Sequence, residues 1–564
     1  MPLEYQREGD NGFIGLNSRD NPAALPIGYI SKSQNFRLDR GVATVRKGLR
    51  RKTSSVILGQ TIYGVGTFLN ASGQEIFVIV VTDGLYTYNP QTETFSTKSA
   101  FPAGETITTQ VGCDVVTAVD KIYISRGHSK RPLIAALDTT SYTITGITAA
   151  PTAGTGAEFP NCSGLLYYAN RLVAIGQDHR LGYTPIARSR DSIGVSNYLD
   201  FDHWDASDVF NFAEGSNDEV VATAPWTLNE FVVFLRNSIF YINIGTSRYI
   251  SGDGLATSSS MKNLVSDLGC VAKNSIVQAD GGIVFLSDNG VYAMTPNSVG
   301  TNESMRLLTN ANPLSAPIDD VIQRINKTYV HRSVGIYWNN RYYLAVPLNS
   351  ENSNDPPATY NNTILVYNFI LKNWESVDTY PAGFDILSFA VGKKDNQRRL
   401  YGFDTDAGVF LLEDLDYDEY GASVGTPILP TPTAPPLILV EANKSNTIIL
   451  NTAAFTPNQI QAELVTRLYT NSVLRSKRFS TAEVDFLSNG GSYTEIYADT
   501  INEDASTLLD SFGSPTDEDR TRRVAIRKIA YGLKLRILNK TLRTSIRGTN
   551  ITATILGKQN ISKK

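Results

Sequence analysis

A repeated pair of short apolar segments dominates the sequence between Ile62 and Leu412. Each copy has an apolar segment, a turn with Asp, Asn or Gly, and a second apolar segment with an aromatic residue near its start. The clearest copies are FVIVVTDGLYTY (Phe77 to Tyr88), GIVFLSDNGVYAM (Gly282 to Met294) and RRLYGFDTDAGVFLL (Arg398 to Leu412). Gly84, Gly290 and Gly408 follow Asp, Asn or Ala, as in tight hairpins that need a positive φ. The pattern predicts a series of antiparallel hairpins.

Weaker copies extend the series along the chain. They are VVTAVDKIYIS (Val115 to Ser125), LLYYANRLVAIG (Leu165 to Gly176), FVVFLRNSIFYINIG (Phe231 to Gly245) and VGIYWNNRYYLAVP (Val334 to Pro347), the last followed by NTILVYNFILKNWESV (Asn362 to Val377). Irregularly spaced hairpin units of this kind predict a β-propeller whose blades carry long loop insertions. A pair of stacked β-sandwiches is the alternative arrangement.

Length and composition favour a β-rich protein with more than one domain. The chain has 564 residues, which exceeds one ordinary hydrophobic core. It contains 43 Gly, 28 Tyr and 23 Phe, and 19% of its residues are charged. Runs of Glu, Lys, Leu and Ala are scarce, so strands and tight turns are favoured over helices.

A proline-rich stretch divides the chain. GTPILPTPTAPPLI has five prolines between Pro427 and Pro436, and such a run is excluded from the centre of a sheet. We therefore expect an N-terminal extended segment over residues 1–60, a propeller-like domain over 61–420, a Pro-rich linker or arm over 421–442 and a C-terminal β-rich platform domain over 443–564.

The C-terminal region alternates apolar and polar residues. AEVDFL (Ala482 to Leu487), YTEIYAD (Tyr493 to Asp499) and GLKLRILN (Gly532 to Asn539) predict strands of an antiparallel sheet. TPNQIQAELVTRLYT (Thr456 to Thr470), with Pro457 in its first turn, predicts an amphipathic helix. The predicted fold is all-β: a β-propeller-like domain with long loop insertions plus a smaller C-terminal antiparallel β domain carrying one short helix.

Charge is segregated along the chain. The segment from Thr521 to Lys564 has 12 Lys and Arg and no Asp or Glu, and Arg37 to Lys52 has seven cations against one Asp, whereas the middle is acidic. The basic C-terminus has three interpretations: contact with nucleic acid, a solvated sheet face, or a surface complementary to an acidic neighbouring subunit. The net charge of -4 gives no global field that would gather nucleic acid.

Motifs that carry chemistry are missing from the sequence. His128, His179, His203 and His331 are far apart, so the spacing of metal ligands is absent. No phosphate-binding loop, nucleophile elbow or dinucleotide fingerprint occurs. The three cysteines are odd in number and widely spaced, which predicts buried thiols. We expect no catalytic, cofactor or metal site and no enzymatic activity.

A propeller glycosidase is the enzyme alternative. The segment Ser189 to Gly194 resembles the Ser-x-Asp-x-Gly turn of sialidase blades, but it has one extra residue and occurs once. Asp200, Asp202 and Trp204 would then form a sugar-binding loop. We expect instead a polar loop whose aromatic residues anchor it in the core, with no catalytic role for Asp200 or Asp202.

The segment NPAALPIGYISKSQNFRLDRGVATVRKGLRRK (Asn21 to Lys52) resembles the opening of podovirus tail nozzle proteins, also called tail tubular protein B or packaged-DNA stabilisation hub proteins. That opening has a Pro-x-Gly, an Asn in a strand-like segment, a Gly turn and an Arg-x-Gly. The matching residues are Pro26, Gly28, Asn35, Gly41, Arg46 and Gly48. The segments Asn170 to Trp204 and Gly282 to Met294 are also similar to the family pattern.

The resemblance implies a structural virion protein that forms the distal ring of a short phage tail. It implies a homo-oligomeric ring of six that encloses the channel for genome ejection and retains packaged DNA. The implied partners are the tail adaptor protein, tail fibre or spike proteins, and genomic double-stranded DNA in weak contact. No stretch is apolar enough to span a membrane, so we expect assembly in the host cytoplasm and residence in the virion tail.

A closed ring needs two different complementary patches on each copy. The candidate basic patch consists of Arg522, Arg523, Arg527, Lys528, Arg536, Arg543 and Arg547. Its candidate acidic counterpart on the next copy consists of Asp404, Asp406, Glu413, Asp414, Asp416, Asp418 and Glu419. The channel would be lined by polar or acidic residues, from the loop Ser350 to Asn361 or the arm after Gly425. A host-surface glycan-binding or depolymerising propeller and an intracellular scaffold propeller are the other functional classes.

Overall fold

The computed structural model describes most of the chain. It covers residues 5–52, 61–70, 72–107, 112–127, 129–138, 143–149, 159–176, 192–196, 204–212, 218–227, 230–243, 260–265, 267–296, 305–307, 313–404, 408–420, 458–470, 476–500, 506–514 and 516–555. Strands dominate these ranges, which contain the α-helix α1 (Asp319–Gln323) and 3-10 helices at Lys273–Ser275, Ala316–Ile318 and Val330–Arg332. None of the helices in these ranges has the length and apolar character needed to cross a membrane.

Six short strands precede the first predicted hairpin. They are β1 (Tyr5–Asp10), β2 (Gly15–Leu16), β3 (Tyr29–Gln34), β4 (Phe36–Asp39), β5 (Val42–Val45) and β6 (Gly48–Arg51). β4 and β5 form a hairpin, and β2 pairs in parallel with β3. β1, β3, β5 and β6 also pair with strands from the blades or from the C-terminal region. The segment predicted as an extended arm is therefore woven into sheets built by the rest of the chain.

Seven antiparallel sheets follow, which we number as blades 1 to 7. Blade 1 has β7 (Ile62–Leu69), β8 (Glu75–Val81), β9 (Gly84–Asn89), β10 (Thr94–Phe95) and β11 (Ser99–Ala100); blade 2 has β12 (Val115–Ala118), β13 (Lys121–Ile124), β14 (Leu133–Leu137) and β15 (Ile144–Ala149). Blade 3 has β16 (Gly164–Tyr168), β17 (Arg171–Ile175), β18 (Ser192–Ser196) and β19 (Trp204–Asn211); blade 4 has β20 (Val220–Thr227), β21 (Glu230–Leu235), β22 (Ile239–Asn243) and β23 (Ser260–Val265).

The remaining three blades have the same strand order. Blade 5 has β24 (Val277–Ala279), β25 (Gly282–Ser287), β26 (Gly290–Pro296) and β27 (Met305–Leu307). Blade 6 has β28 (Val334–Trp338), β29 (Arg341–Val346), β30 (Thr363–Asn368) and β31 (Asn373–Thr379). Blade 7 has β32 (Ile386–Lys394), β33 (Gln397–Asp404) and β34 (Val409–Leu415), with β6 as its fourth strand. Every hairpin predicted from the sequence pattern is present.

Hydrophobic clusters join each blade to the next and close the series into a ring. Separate clusters lie between blades 1 and 2, 2 and 3, 3 and 4, 4 and 5, 5 and 6, and 6 and 7. The closing cluster packs Ile62 and Phe77 of blade 1 against Tyr401 and Phe403 of blade 7. The first strands of neighbouring blades also lie side by side, including β32 against β7. The protein is thus all-β with a propeller-like domain, as predicted.

The ring is closed by a strand from the N-terminal segment. β6 pairs antiparallel with β34, so residues before blade 1 complete blade 7. A Cβ atom on Gly48 would lie 1.9 Å from the carbonyl oxygen of Tyr417, so only glycine fits at this contact. This closure joins the two ends of the propeller without a covalent link.

The backbone conformation of the glycines in the predicted hairpins differs in part from the expectation. A positive φ is found at Gly290 but not at Gly84 or Gly408. A Cβ atom on Gly84 would lie 2.7 Å from the carbonyl oxygen of Ser99, because β11 returns alongside this turn. The expectation of a positive φ was wrong at these two glycines, where close approach of other atoms is the constraint.

Strands β35 to β43 complete the described chain. They are β35 (Tyr417–Asp418), β36 (Asn458–Gln459), β37 (Ala462–Thr466), β38 (Lys477–Ser488), β39 (Ser492–Thr500), β40 (Thr507–Ser514), β41 (Glu518–Ala530), β42 (Leu533–Thr541) and β43 (Thr544–Ile555). The last seven form, with β1, β3, β4 and β5, two sheets that face each other across one apolar core. We call this two-sheet unit the platform. The three strands predicted in this region are all present.

The predicted helix from Thr456 to Thr470 is wrong in its described part. β36 and β37 occupy this segment, and β37 lies between β3 and β42. Ile460, Ala462 and Leu464 point into the platform core, which is the two-residue period of a strand. Pairing on both edges satisfies the backbone of β37, and this tertiary context overrides the helical pattern. No helix occurs in the part of the platform that the structure describes.

Propeller and platform share a sheet. The strand order is β28-β29-β30-β31-β3-β37-β42-β39-β40, so blade 6 continues through β3 into the platform. The Pro-rich stretch predicted as a linker, residues 421–442, lies outside the described residues. The N-terminal strands, rather than a linker, therefore provide the described connection between the two units.

Candidate subunit interface

The predicted acidic counterpart lies where blade 7 meets the N-terminal strands. Glu413 accepts hydrogen bonds from Arg37 Nε at 2.9 Å and from the Lys47 backbone N–H at 3.2 Å. Asp414 forms an ion pair with Arg50 at 2.5 Å. Asp404 is buried, and Asp406 lies outside the described residues.

Asp418 is the most buried carboxylate of this segment to pair with an arginine. Arg46 donates two parallel hydrogen bonds to it, at 3.0 and 2.8 Å, and the Leu49 backbone N–H donates a third at 3.1 Å. The side chains of Arg46 and Asp418 are 1% and 4% exposed. Burial alone would lower the pKa of Arg46, but the Asp418 carboxylate outweighs it and raises the pKa above its ordinary value.

Arg46 also links further elements. It donates to the Asn35 side-chain oxygen at 3.0 Å and to the Thr379 carbonyl at 2.9 Å, and its guanidinium lies 4.1 Å from the centre of the Tyr380 ring. Asn35 in turn donates to the Gln461 carbonyl at 2.7 Å. Arg46 therefore contacts blade 6 and β35 directly, and it is linked to the platform through Asn35.

Arg37 forms a second buried centre at the same junction. It donates to Asp378 of blade 6 at 3.0 Å and to Glu413 of blade 7 at 2.9 Å. Burial opposes the charge on Arg37, but the two carboxylates raise its pKa well above the ordinary value. Together with Arg341 and Glu375, which pair at 2.6 Å, these residues form a charged seam between blades and N-terminal strands.

The platform end of the N-terminal segment is fixed in the same manner. Asp10 is fully buried and accepts hydrogen bonds from Arg467 Nε at 3.0 Å, the Tyr469 hydroxyl at 2.7 Å and the Gly28 backbone N–H at 2.9 Å. Arg467 also reaches Glu8 at 2.6 Å. Removal of one partner from such a group would leave a buried charge unpaired.

Most of the predicted basic patch is engaged within the chain. Arg522 pairs with Asp510 at 2.7 Å, Arg523 with Glu483 at 3.6 Å, and Arg547 with Asp485 at 2.8 Å. Arg536 hydrogen-bonds Glu463, and Lys528 is half-buried. The structure brings one predicted basic residue to the predicted acidic segment of the same chain, because Arg543 lies 3.8 Å from Asp416. Pairing between copies stays a prediction.

Unengaged arginines gather on one face of the platform. β1, β43, β38 and β41 are neighbours, and Arg7, Thr552, Thr481 and Ala525 lie opposite one another across them. In the adjacent row, Arg478 lies opposite Ile529. Arg527 is exposed on the same side of β41. We define the outer platform face as Arg7, Arg478, Arg523, Ala525, Arg527 and Ile529.

Three arginines of the outer platform face lack a carboxylate partner. Arg7, Arg478 and Arg527 are exposed and form no ion pair or side-chain hydrogen bond with any described residue. Two carboxylates of β38 border this face: Glu483, 3.6 Å from Arg523, and Asp485, which pairs with Arg547. The sequence analysis named Arg523 and Arg527 but missed Arg7 and Arg478, which strand pairing brings to them from distant positions.

Glu463 provides a test of the platform's electrostatics. Burial alone would raise its pKa, but hydrogen bonds and charges from Lys32 and Arg536 lower the pKa below its ordinary value of about 4.3. A depressed folded-state pKa adds stability above the unfolded pKa, and this is lost as pH falls through the folded value. We expect the unfolding free energy to fall on acidification below about pH 4.3, and less steeply in Glu463→Gln. Urea denaturation between pH 7 and pH 3 measures this, with exposed Glu351→Gln as the unchanged control.

The three cysteines are buried thiols, which the sequence predicted. Burial raises the pKa of Cys113 and Cys270 to about 12 and also raises the pKa of Cys162. Since the thiolate is the reactive form, we expect almost no reaction of the folded protein with a thiol-specific reagent at pH 8. Denaturation should expose all three thiols. Rapid labelling of the native protein would contradict this placement.

The histidines and acidic residues weighed in the sequence analysis do not come together in the part of the chain that the structure describes. No group of three or more His, Cys, Asp or Glu among the described residues is placed to hold a metal ion. His331 packs beside Tyr329, while the other histidines and the pair Asp200 and Asp202 lie outside the described residues. Trp204 is buried against Phe159, 4.9 Å between ring centres, between blades 2 and 3.

The centre of the propeller is crossed by an ion pair. Asp114 precedes the first strand of blade 2, and Lys273 precedes the first strand of blade 5. Their side chains meet at 3.0 Å, and Lys273 also donates to the Ser163 carbonyl before blade 3 at 3.3 Å. Blades 2 and 5 lie apart in the ring, so this contact must span its centre. Side chains therefore occupy the propeller axis at this end.

Comparisons with known proteins identify no family for this chain. No protein-family profile matches the chain, and no curated protein matches it. Among solved structures, the chain is similar to one described as the crystal structure of BBS1N in complex with ARL6DN, soaked with mercury. The identity is 14% and the TM-score 0.37, over 66% of this chain and 98% of the other. A likeness this low carries no argument about function.

Proposed function

We propose that this chain is a structural subunit of a short bacteriophage tail. In this proposal a ring of copies forms the distal nozzle, encloses the channel for genome ejection and retains packaged DNA, with no enzymatic role. The ring would sit in the virion tail below the adaptor protein and contact tail fibre or spike proteins.

The observation that carries the proposal is the location of the residues that resemble nozzle proteins. Gly48 pairs with blade 7, Arg46 binds Asp418 of β35, Asn35 bridges blade 6 and the platform, and Gly28 donates to buried Asp10. Gly41 accepts a hydrogen bond from the Phe13 backbone N–H at 2.9 Å. The resemblance thus falls on the junction between the two units. Residues shared with nozzle proteins are expected at this junction if the function depends on how the propeller and the platform are joined.

Rigidity at the junction supports a load-bearing role. A continuous sheet runs from blade 6 into the platform, and buried ion pairs at Arg37, Arg46 and Arg467 brace it. Breaking any one of these pairs would leave a charge in an apolar environment, which costs several kcal/mol, roughly 3–5 by comparison with other buried pairs. The two units are therefore expected to move as one body, as a tube wall requires.

The DNA channel in this proposal lies between copies. The ion pair of Asp114 and Lys273 crosses the axis of each propeller, which leaves no continuous path there for a duplex. A net charge of -4 favours weak contact with DNA, since each cation on a phosphate strengthens binding that sliding must break. The loop Ser350 to Asn361, which is mostly exposed, stays a candidate for the lumen.

Negative-stain electron microscopy of the purified full chain tests the proposal. We expect closed rings with a central opening wide enough for a DNA duplex, about 20 Å, and weak DNA binding that vanishes at moderate salt. Particles that stay monomeric at micromolar concentration, or turnover of a glycan by the purified chain, would contradict it.

A further inference from the structure

We propose that the outer platform face is the surface by which one copy of this chain binds a second copy, through carboxylates of that copy. The proposal rests on the proposed ring and names one of its two contact surfaces. Its evidence is the arginines of this face, described above, and it is independent of the sequence resemblance.

Other exposed arginines of the described chain, such as Arg40 and Arg236, also lack an ion pair, but on the outer platform face three such arginines lie on neighbouring strands of one sheet. Arg37, Arg46, Arg126, Arg341 and Arg467 are all matched to carboxylates, most of them buried. On the outer platform face, Arg7, Arg478 and Arg527 have none among the described residues, and Arg523 has a long contact of 3.6 Å. Together with the neighbouring Arg547, five arginines on this side of the sheet stand against three carboxylates, Glu483, Asp485 and Asp519, which leaves an excess of positive charge. A partner surface that carries carboxylates would compensate this positive charge.

The shape of the face suits a protein partner. Its rows lie on four neighbouring strands, so its cations are spread over about 14 Å across the strands. The opposite side of the same sheet is packed into the platform core, which holds the face flat and fixed. A preorganised arginine fork binds a carboxylate through two parallel hydrogen bonds.

Apolar residues among the cations favour protein over DNA. Ile529 is 54% exposed beside Arg478 on the edge strand β41, and Tyr531 next to β41 is 48% exposed. Arginine and tyrosine beside an exposed aliphatic side chain are typical of the core of protein interfaces. A DNA phosphate would gain no favourable contact from covering the Ile529 side chain, whereas an apolar group of a protein partner would. The observations therefore favour a carboxylate-bearing protein surface.

A second copy of the chain offers that surface. The whole chain has net charge -4 despite the positive outer platform face, so the rest of its surface is more negative still. Exposed carboxylates on the propeller include Asp288 and Glu351, whose side chains are 65% and 68% exposed. Contact between different patches of identical copies is the arrangement from which closed rings are built.

Charge reversal tests the inference. In the full chain, the double substitution Arg478→Glu and Arg527→Glu should weaken self-association at least about 100-fold, as measured by light scattering after size exclusion. The matched control is Arg398→Glu, which reverses an exposed arginine, 72% exposed, on the propeller and should leave association unchanged. Circular dichroism melting establishes whether the variants fold. If the charge-reversal variant does not fold, the double substitution Arg478→Ala and Arg527→Ala is the milder replacement.

A photo-crosslinking residue in place of Ile529 gives a second measurement. We expect covalent dimers in which the linked peptide belongs to a second copy and contains Asp or Glu. If the wild-type chain forms rings and the reversal leaves them intact, the inference is overturned while the proposed function stands. If the wild-type chain forms no ring, the proposed function is contradicted, and the inference that rests on it falls with it. Loss of duplex DNA binding without loss of assembly would instead assign the face to phosphates.

Discussion

Replacement of Arg46 by methionine is expected to lower the free energy of unfolding by about 3–5 kcal/mol. Methionine fills a similar volume but leaves the Asp418 carboxylate, 4% exposed, without its cation. The Leu49 backbone N–H would remain as a hydrogen-bond donor to Asp418, and the cation–π contact of Arg46 with Tyr380 would be lost as well. Urea denaturation at pH 7, followed by tryptophan fluorescence, measures the loss.

Two further variants separate the charge from the packing. Arg523→Met removes an exposed arginine, 65% exposed, whose carboxylate lies 3.6 Å away, and should cost less than about 1 kcal/mol. Arg46→Met combined with Asp418→Asn removes both charges and should recover part of the loss. If Arg46→Met is as mild as Arg523→Met, the buried pair does not hold the junction together.

Replacement of Gly48 by alanine is expected to lower the unfolding free energy by about 3 kcal/mol, the upper end of the range for overpacking a core. The added Cβ would lie 1.9 Å from the Tyr417 carbonyl oxygen, and a backbone atom has no rotamer by which to move away. β6 would then shift from β34 and leave blade 7 without its fourth strand. Limited proteolysis should show cleavage near Lys52 in the variant before it does in the wild type.

Gly146→Ala is the matched control for this substitution. Gly146 also lies in a strand, β15, but a Cβ atom there has no heavy atom within 4 Å. We expect it to be neutral or to stabilise by about 0.4–1 kcal/mol through the unfolded chain. Equal effects of Gly48→Ala and Gly146→Ala would mean that β6 is not needed to close the propeller.

These two predictions concern one junction, and together they bear on function. A ring subunit that carries load must keep its propeller and platform in a constant relation. Arg46, in the link between β5 and β6, provides an ion pair, and Gly48, the first residue of β6, provides a steric fit. If both variants fold but ring assembly fails, the junction sets the angle between the two contact surfaces of each copy.

The hairpins could be predicted from the sequence because their information is local. Apolar segments separated by a short turn pair with each other whatever surrounds them, so Phe77 to Tyr88 and Gly282 to Met294 form hairpins as expected. Their order along the chain also sets the order of the blades. The buried cysteines follow equally well, because an apolar thiol without a partner cysteine favours the interior.

The helix from Thr456 to Thr470 failed because its pattern fits two structures. Ile460, Ala462 and Leu464 are apolar at every second position, while the wider segment also satisfies a helical period. The choice depends on β3 and β42, which lie far away in sequence and supply hydrogen bonds to both edges of β37. No local feature of the segment records their presence.

The ion pairs could not be predicted from the sequence for the same reason. Segregation of basic ends from an acidic middle could be read from the sequence, and it indicated complementary patches. Which arginine meets which carboxylate depends on the closure of blade 7 by β6, which brings Arg46 to Asp418 across 372 positions. Local pairing determines strands and turns, whereas ion pairs between distant segments exist only after the sheets have closed, because a Coulomb interaction depends on separation in space and not along the chain.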